Sequence, residues 1–212
     1  MSQKRTCIAL FTKYPTEGRV KTRLIPAFGA QTATKIHNFL AKRTINTLAQ
    51  AASQNPNLDL HVFYDGADLT AMQTWLGSGL SYHKQHGNDL GDRLSNAMNA
   101  LFAEGYLSII FVGADCFNLN AQHIMDAACL LETSDVVIGP CKDGGYYLIG
   151  IKKVAPEIFK GISWGSEQVF SQTINIAKQL GMSYSLLPML SDIDRQEDVY
   201  DGCEELKNIT GQ

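Results

Sequence analysis

The chain has 212 residues, 45% of them hydrophobic and 18% charged, with a formal net charge of −3. That is an ordinary globular composition, long enough for one domain (1–212) with a substantial core, and it excludes a disordered chain. The acidic balance also argues against a broad nucleic-acid-binding surface, leaving room only for a local basic site.

In chain order, the continuous apolar run "TCIALFT" (6–12) reads as a strand buried on both faces. A basic loop follows, then a helix over about 31–53, with Ile36, Phe39, Leu40, Leu48 and Ala51 near one face. Residues 58–65 alternate as a strand. Residues 68–76 form a helix with Asp68 as its cap, and 81–87 hold a short strand. A helix starts near Gly91 and stops at Gly105. "LSIIFVGAD" (107–115) is the strongest strand pattern. Then come a helix over 120–132, strands at 135–140 and 146–151 around "CKDGG", a helix over 166–181, a strand over 183–190 and a closing helix from Arg195. Strands alternating with helices predict an α/β sandwich with a mostly parallel sheet. Ligands in such sheets sit beyond the carboxyl ends of the strands.

The five cysteines are scattered, with no C-x-x-C, which suits reduced thiols in a cytoplasmic protein. "CIALF" is too short for a signal-peptide core, and no apolar stretch approaches the ~20 residues of a membrane span.

The loop "KYPTEGRVKTRL" (13–24) gathers Lys13, Arg19, Lys21 and Arg23 around Gly18. Such a loop can wrap phosphates, with Lys21 and Arg23 neutralising charge. It is not a Walker A loop, since Val20 and Pro15 stand where that motif needs glycine. Taken alone it also suits a plain solvated cationic loop. Asp115 ends "GAD", where a carboxylate can hold Mg²⁺ or Mn²⁺ or simply make a turn. Asp192 and Asp194 alternate after the last strand, so one of them, Asp194, is expected to face the site, while Asp198 suits a helix start. Asp143 in "KDGG" can act as a base or close a hairpin turn, beside Gly144 and Gly145. Asp89 suits a helix cap, with Arg93 one turn on. His83 and His86, three apart, point to opposite faces of a strand, which disfavours a metal pair. The other histidines read as isolated, and Cys116 as a small residue at a strand end.

Taken in order, "FTKYPTEGRVKTRLIPAFG", "GNDLGDRL", "GADC", "GPCKDGGYYLIG", "ISWGSEQV" and "DIDRQEDV" cover nearly the whole chain. They resemble a bacterial family of small glycosyltransferase-like proteins found beside radical-SAM genes and long catalogued as a domain of unknown function. That family looks like a branch of the nucleotide-diphospho-sugar transferase superfamily, with the GT-A fold, a three-layer α/β/α sandwich. The first and last motifs also resemble 2-phospholactate guanylyltransferases and molybdenum-cofactor nucleotidyltransferases. The resemblance implies that Lys13, Gly18, Arg19, Lys21, Thr22 and Arg23 bind nucleotide phosphates, with Asp89 and Arg93 lining the nucleotide pocket. It implies Asp115 and Asp194 as ligands of Mg²⁺ or Mn²⁺. Gly144, Gly145, Tyr146 and Trp164 would face the acceptor, with Lys21, Arg23 and Asp143 catalytic. Phe117 departs from the family pattern, which usually has proline there, and implies a different path for the loop after Asp115.

Three functions fit these residues. The first moves a glycosyl group from a nucleotide-sugar to a small acceptor. The second moves a nucleotidyl group from a nucleoside triphosphate to a phosphorylated acceptor, releasing pyrophosphate. The third is a non-catalytic nucleotide-binding partner. The sequence leaves the base, sugar, acceptor and oligomeric state open.

Overall fold

The computed structural model describes residues 5–200 and 204–211. Seven strands form one sheet: β1 Thr6–Lys13, β2 Leu58–Asp65, β3 Ser81–Lys84, β4 Ser108–Gly113, β5 Val136–Pro140, β6 Tyr146–Ile151 and β7 Tyr184–Leu186. Their spatial order is β3-β2-β1-β4-β6-β5-β7. Only β6 runs against the others, pairing antiparallel with both β4 and β5. The sheet is therefore mixed and mostly parallel, as the sequence pattern predicts.

The helices are α1 Ile25–Gln54, α2 Leu69–Leu76, α3 Leu90–Ala103, α4 Ala121–Leu130, α5 Val169–Gln179, α6 Gln196–Tyr200 and α7 Glu204–Thr210. They cover both faces of the sheet, because the central strands are apolar on both. On β1 and β4, Ile8, Leu10, Ile110 and Val112 pack with Ala41, Ile45 and Leu48 of α1 and Ile124 of α4. Cys7, Ala9, Ile109 and Phe111 turn the other way, toward Leu94 and Met98 of α3 and Ile174 of α5. The period of two along each strand sorts the side chains between the layers. None of the helices in the described residues is long and apolar enough to cross a membrane.

Two boundaries differ from expectation. The first helix begins at Ile25, but Gly29 (φ 78°, ψ 160°) interrupts it, so the long segment starts close to the expected place. The last strand is only Tyr184–Leu186, and a single bridge joins Leu190 to Cys141 beyond it. The C-terminal segment is helical over α6 and α7, as expected, and residues 201–203 between them, Cys203 included, lie outside the described residues.

A third apolar cluster fixes the site. Leu24, Ala33, Ile36 and Leu40 pack against Ile193, Val199 and Leu206. This contact brings the C-terminal segment against the start of α1, and so brings Asp194 to the basic loop.

Candidate active site

Strand order reverses direction between β1 and β4. β2 and β3 lie on one side of β1, while β4 and the later strands lie on the other. Such a switch opens a crevice beyond the carboxyl ends of the two strands. The basic loop leaves β1 there, and the segment containing Asp115 leaves β4.

The loop is pinned at its start. The Tyr14 N–H donates to the Asp65 carbonyl at 2.8 Å, and buried His37 of α1 contacts the Lys13 carbonyl through Nε2 at 2.8 Å. The chain then turns back at Lys21. Among the described residues, Lys21 is the one non-glycine with positive φ (φ 47°, ψ 43°). That left-handed geometry costs about 1–2 kcal/mol for a residue with a Cβ. It directs the Lys21 side chain inward, where only 4% of it is exposed and Nζ lies 2.8 Å from Asp115 Oδ1. The same Nζ lies 3.7 Å from Asp194 Oδ1. Arg23 donates to the other oxygen of Asp194 and, through Nη2, to the Gly165 carbonyl at 3.3 Å.

The carboxylates are held by backbone contacts. The Ile193 N–H donates to the Asp115 carbonyl at 3.0 Å, and Cys116 Sγ donates to the Ser191 carbonyl at 3.3 Å. Phe117 stacks on Phe39 of α1 (6.2 Å), and the Arg43 guanidinium lies over its ring at 4.1 Å. The residue that departs from the family pattern is thus an anchor for the Asp115 loop. Burial raises the Asp115 pKa, but the charge and hydrogen bond of Lys21 outweigh it, and the carboxyl lies below its usual range. Arg23 is raised by its hydrogen bond with Asp194.

Arg23 and Asp194 open onto a cavity of about 720 Å³, also lined by Phe117, Lys142, Asp143 and Asp192. Both Asp192 and Asp194 reach it, against the expectation that only one would. Residues 191–195 form no strand, so side chains do not alternate there. Burial, and then the charge of Asp143, push the Asp192 carboxyl up to about 6. Asp143 and Asp192 offer oxygens within 4.8 Å of each other and of the Cys141 sulfur. Asp143 also closes the hairpin turn, accepting from the Gly145 N–H at 2.9 Å. Gly144 (φ 87°) is required in this turn: a Cβ there would lie 2.1 Å from the Glu167 carbonyl oxygen.

Other expected residues lie apart. Lys13, Gly18, Arg19 and Thr22 are exposed on the loop. Asp89 caps α3, accepting from the Asp92 N–H at 2.8 Å. Arg93 pairs with Asp65 at 2.8 Å and Gln85 at 3.2 Å, on the β2–β3 side of the crevice. Tyr146 and Trp164 meet edge to face (6.4 Å) in the apolar layer against α5, away from the cavity lining, and the buried Tyr146 hydroxyl has no hydrogen-bond partner. Asp198 takes the helix-start role, accepting from the N–H groups of Asp194 (3.0 Å) and Arg195 (2.6 Å). Cys116 is buried and its pKa is pushed up to about 12 by that burial, which disfavours a reactive thiolate. His61 is not isolated: its Nδ1 lies 2.8 Å from His83 Nε2 and its Nε2 lies 2.8 Å from the Tyr106 hydroxyl. The parallel pairing of β2 and β3 brings them together, with His61 opposite Ser81. Sequence reasoning also missed His37 as a support of the basic loop, and nothing in its local sequence marks it.

The donor set fits a divalent cation. Oxygens of Asp115 and Asp194 converge on one point, and an ammonium stands in for a cation there. Two carboxylates suit Mg²⁺ or Mn²⁺.

A family model for uncharacterized proteins conserved in bacteria (DUF2064) matches residues 47–166. The chain belongs to this family. A candidate nucleotide-diphospho-sugar transferase from Desulfovibrio desulfuricans G20 is 33% identical to it, with a TM-score of 0.83 over 92% of this chain and 84% of that one. The fold is also similar to 4-diphosphocytidyl-2C-methyl-D-erythritol synthase from Anaerococcus prevotii (9% identity, TM-score 0.65, 97% and 100% of the two chains). It is similar to glucosyl-3-phosphoglycerate synthase from Mycobacterium tuberculosis, solved with Mn²⁺ and UDP (11% identity, TM-score 0.57, 99% and 77%). No curated protein matches the chain. The architecture is that of the GT-A-like nucleotide-diphospho-sugar transferases and nucleotidyltransferases.

Proposed function

We propose that this protein is a transferase that moves a glycosyl group from a nucleotide-sugar to a small acceptor. The observation that carries the reading is the convergence of Lys21 and Asp115 on Asp194, which lines the cavity, at the switch point of the sheet. The 33% identical relative described as a candidate nucleotide-diphospho-sugar transferase supports the choice of donor.

In this reading Lys21 and Arg23 take the donor's phosphates, since both carry fixed positive charge at the end of β1. Lys13 and Arg19, exposed on the same loop, extend that charge toward solvent. Asp115 and Asp194 would hold a divalent ion, which would supply neutralisation of the departing diphosphate. The acceptor occupies the cavity beside Asp143. One Asp143 oxygen accepts from the Gly145 N–H, and in this reading the other takes the acceptor's proton. The acceptor oxygen bonds to the anomeric carbon, the bond from that carbon to the phosphate oxygen breaks, and the electron pair leaves with the nucleoside diphosphate. Gly144 keeps the turn close to the loop at Glu167.

A second reading is nucleotidyl transfer. It is favoured by two loop cations facing paired carboxylates, an arrangement equally suited to a triphosphate. Products separate the two. Incubation with UDP-, GDP-, ADP- and dTDP-sugars, and separately with the four nucleoside triphosphates, in Mn²⁺, is followed by ³¹P NMR. Slow release of a nucleoside diphosphate, with water replacing the acceptor, is the expected result. Pyrophosphate from a triphosphate would transfer the assignment to the second reading. Neither product, with or without cell-extract metabolites as acceptors, would remove both.

A further inference from the structure

The sheet has two edges, and they are finished differently. β3, at one edge, ends on exposed Lys84. A charge there disfavours a further strand, because pairing would draw it out of water. β7, at the other edge, lies in a stretch without any charged residue, from Leu180 to Leu190. Four apolar side chains of that stretch, Leu180, Tyr184, Leu186 and Met189, are between 36% and 58% exposed.

The backbone of β7 has an open side as well. β7 pairs in parallel with β5, with Tyr184 opposite Val136 and Leu186 opposite Ile138. The Ser183 carbonyl accepts from the Val136 N–H at 3.0 Å, and the Leu187 N–H donates to the Ile138 carbonyl at 2.9 Å. Alternate residues of a strand serve the same neighbour. Residues 183, 185 and 187 therefore face β5, and Tyr184 and Leu186 turn their N–H and C=O groups outward. Among the described residues, no strand lies beyond them. The side chains sort by the same period. Ser185, which hydrogen-bonds Ser134, and buried Leu187 point to one face. Tyr184 and Leu186 share the other, where Lys178 of α5 sets its ammonium over the Tyr184 ring at 5.9 Å.

This edge is complementary to a second copy of itself. A two-fold axis through Ser185, perpendicular to the sheet, makes two copies of β7 antiparallel. Tyr184 of each copy then lies opposite Leu186 of the other. Both outward-turned residues fall in hydrogen-bonded pairs, and the two copies of Ser185 form the non-hydrogen-bonded pair between them. On the shared face each Tyr184 ring meets a Leu186 side chain, a favourable cross-strand pair. In an isologous contact, a charge near the axis faces its own copy, and residues 180–190 carry none. An axis at Leu186 would instead set Tyr184 opposite Pro188, which has no N–H to give.

We propose that the protein forms a homodimer through antiparallel pairing of β7, closed by a two-fold axis at Ser185. The proposal is independent of the transferase reading. Four partly exposed side chains and a short ladder offer much less than the ~800 Å² per partner of a standard interface, so the dimer should dissociate at micromolar concentration.

Sedimentation velocity at about 1 μM and about 500 μM brackets the affinities of small interfaces. A reducing buffer is used, since Cys129 is exposed. The lower concentration should give a species of 23.3 kDa, and the higher a species approaching twice that mass. Amide hydrogen exchange, read by NMR under the same two conditions, reports the register. The Tyr184 and Leu186 amides should exchange about tenfold more slowly at the higher concentration, while the Ser185 amide, already facing β5, should not change. Leu186→Lys places a charge on the edge and should remain monomeric at both concentrations, with its fold checked by circular dichroism. A monomer at the higher concentration would overturn the proposal. So would a dimer in which the Tyr184 and Leu186 amides gain no protection, or a folded Leu186→Lys protein that dimerises like the wild type. If that variant fails to fold, exchange in the wild type decides.

Discussion

Two polar clusters interrupt the apolar layers, and they are built on different terms. Beyond the ends of β1 and β4, Lys21, Arg23, Asp115 and Asp194 are charged and paired across long sequence separations, and Arg23 and Asp194 open to a cavity. On the β2–β3 flank, His61 is 6% exposed, and each of its ring nitrogens has an internal partner, His83 or Tyr106. The His83 ring also stacks on Phe63 at 4.8 Å. His61, at the centre of the second cluster, is satisfied internally. The first consists of charges whose partners a ligand can replace. Polar residues in a core are structural when their partners are fixed, and functional when those partners are exchangeable.

The largest effect should come from the cavity wall. Gly144→Ala places a Cβ against the Glu167 backbone in a left-handed turn, so urea denaturation should show a loss of about 3 kcal/mol, the upper end for a single substitution. A loss below about 1 kcal/mol would mean that the two loops move apart freely, and that the cavity is not held as described.

Next is the charged cluster. Asp115→Ala leaves the buried Lys21 ammonium with only the longer contact to Asp194, and should cost about 2 kcal/mol at pH 7. The neutral chain should be cheaper to break. Tyr106→Phe removes one hydrogen bond to His61 and should cost about 1 kcal/mol. Equal costs at the two clusters would erase the distinction drawn between them.

The smallest effect is a slope with pH. Burial, and then the charge of His83, lower the His61 pKa below its ordinary 6.5. The unfolded chain then binds more protons than the folded one below that pH, so stability falls as pH drops through it. His61→Gln should flatten the fall between pH 7 and pH 5, leaving the share of buried His37, which is lowered by burial as well. An unchanged slope would show that His61 titrates normally and that the cluster is not sealed.

Much of the fold was legible because burial on two faces writes itself into short windows. "CIAL" and "SIIFV" read as central strands, and they are β1 and β4. Asp68 and Asp89 both cap the helices that follow them, as their local sequence suggests. The site was legible only as a set of residue types. Its geometry depends on the third apolar cluster, where residues 24–40 meet residues 193–206, and no local pattern encodes a contact at that separation. The left-handed backbone of Lys21 was hidden because lysine gives no sign of positive φ. The pairing of His61 with His83 depended on the register between two parallel strands. Asp192 was set aside by a rule of alternation that applies to strands, in a segment that forms none.

The most direct test is thermal unfolding with UDP-, GDP-, ADP- and dTDP-sugars, each with and without Mn²⁺, on the wild type and on Asp115→Asn. A ligand that binds only the folded state raises the melting temperature. The account predicts that at least one nucleotide-sugar raises it in the presence of Mn²⁺, far less without the ion, and that Asp115→Asn abolishes the dependence on Mn²⁺. No shift with any ligand, or a shift in Asp115→Asn that keeps its full Mn²⁺ dependence, would contradict the assignment of this site.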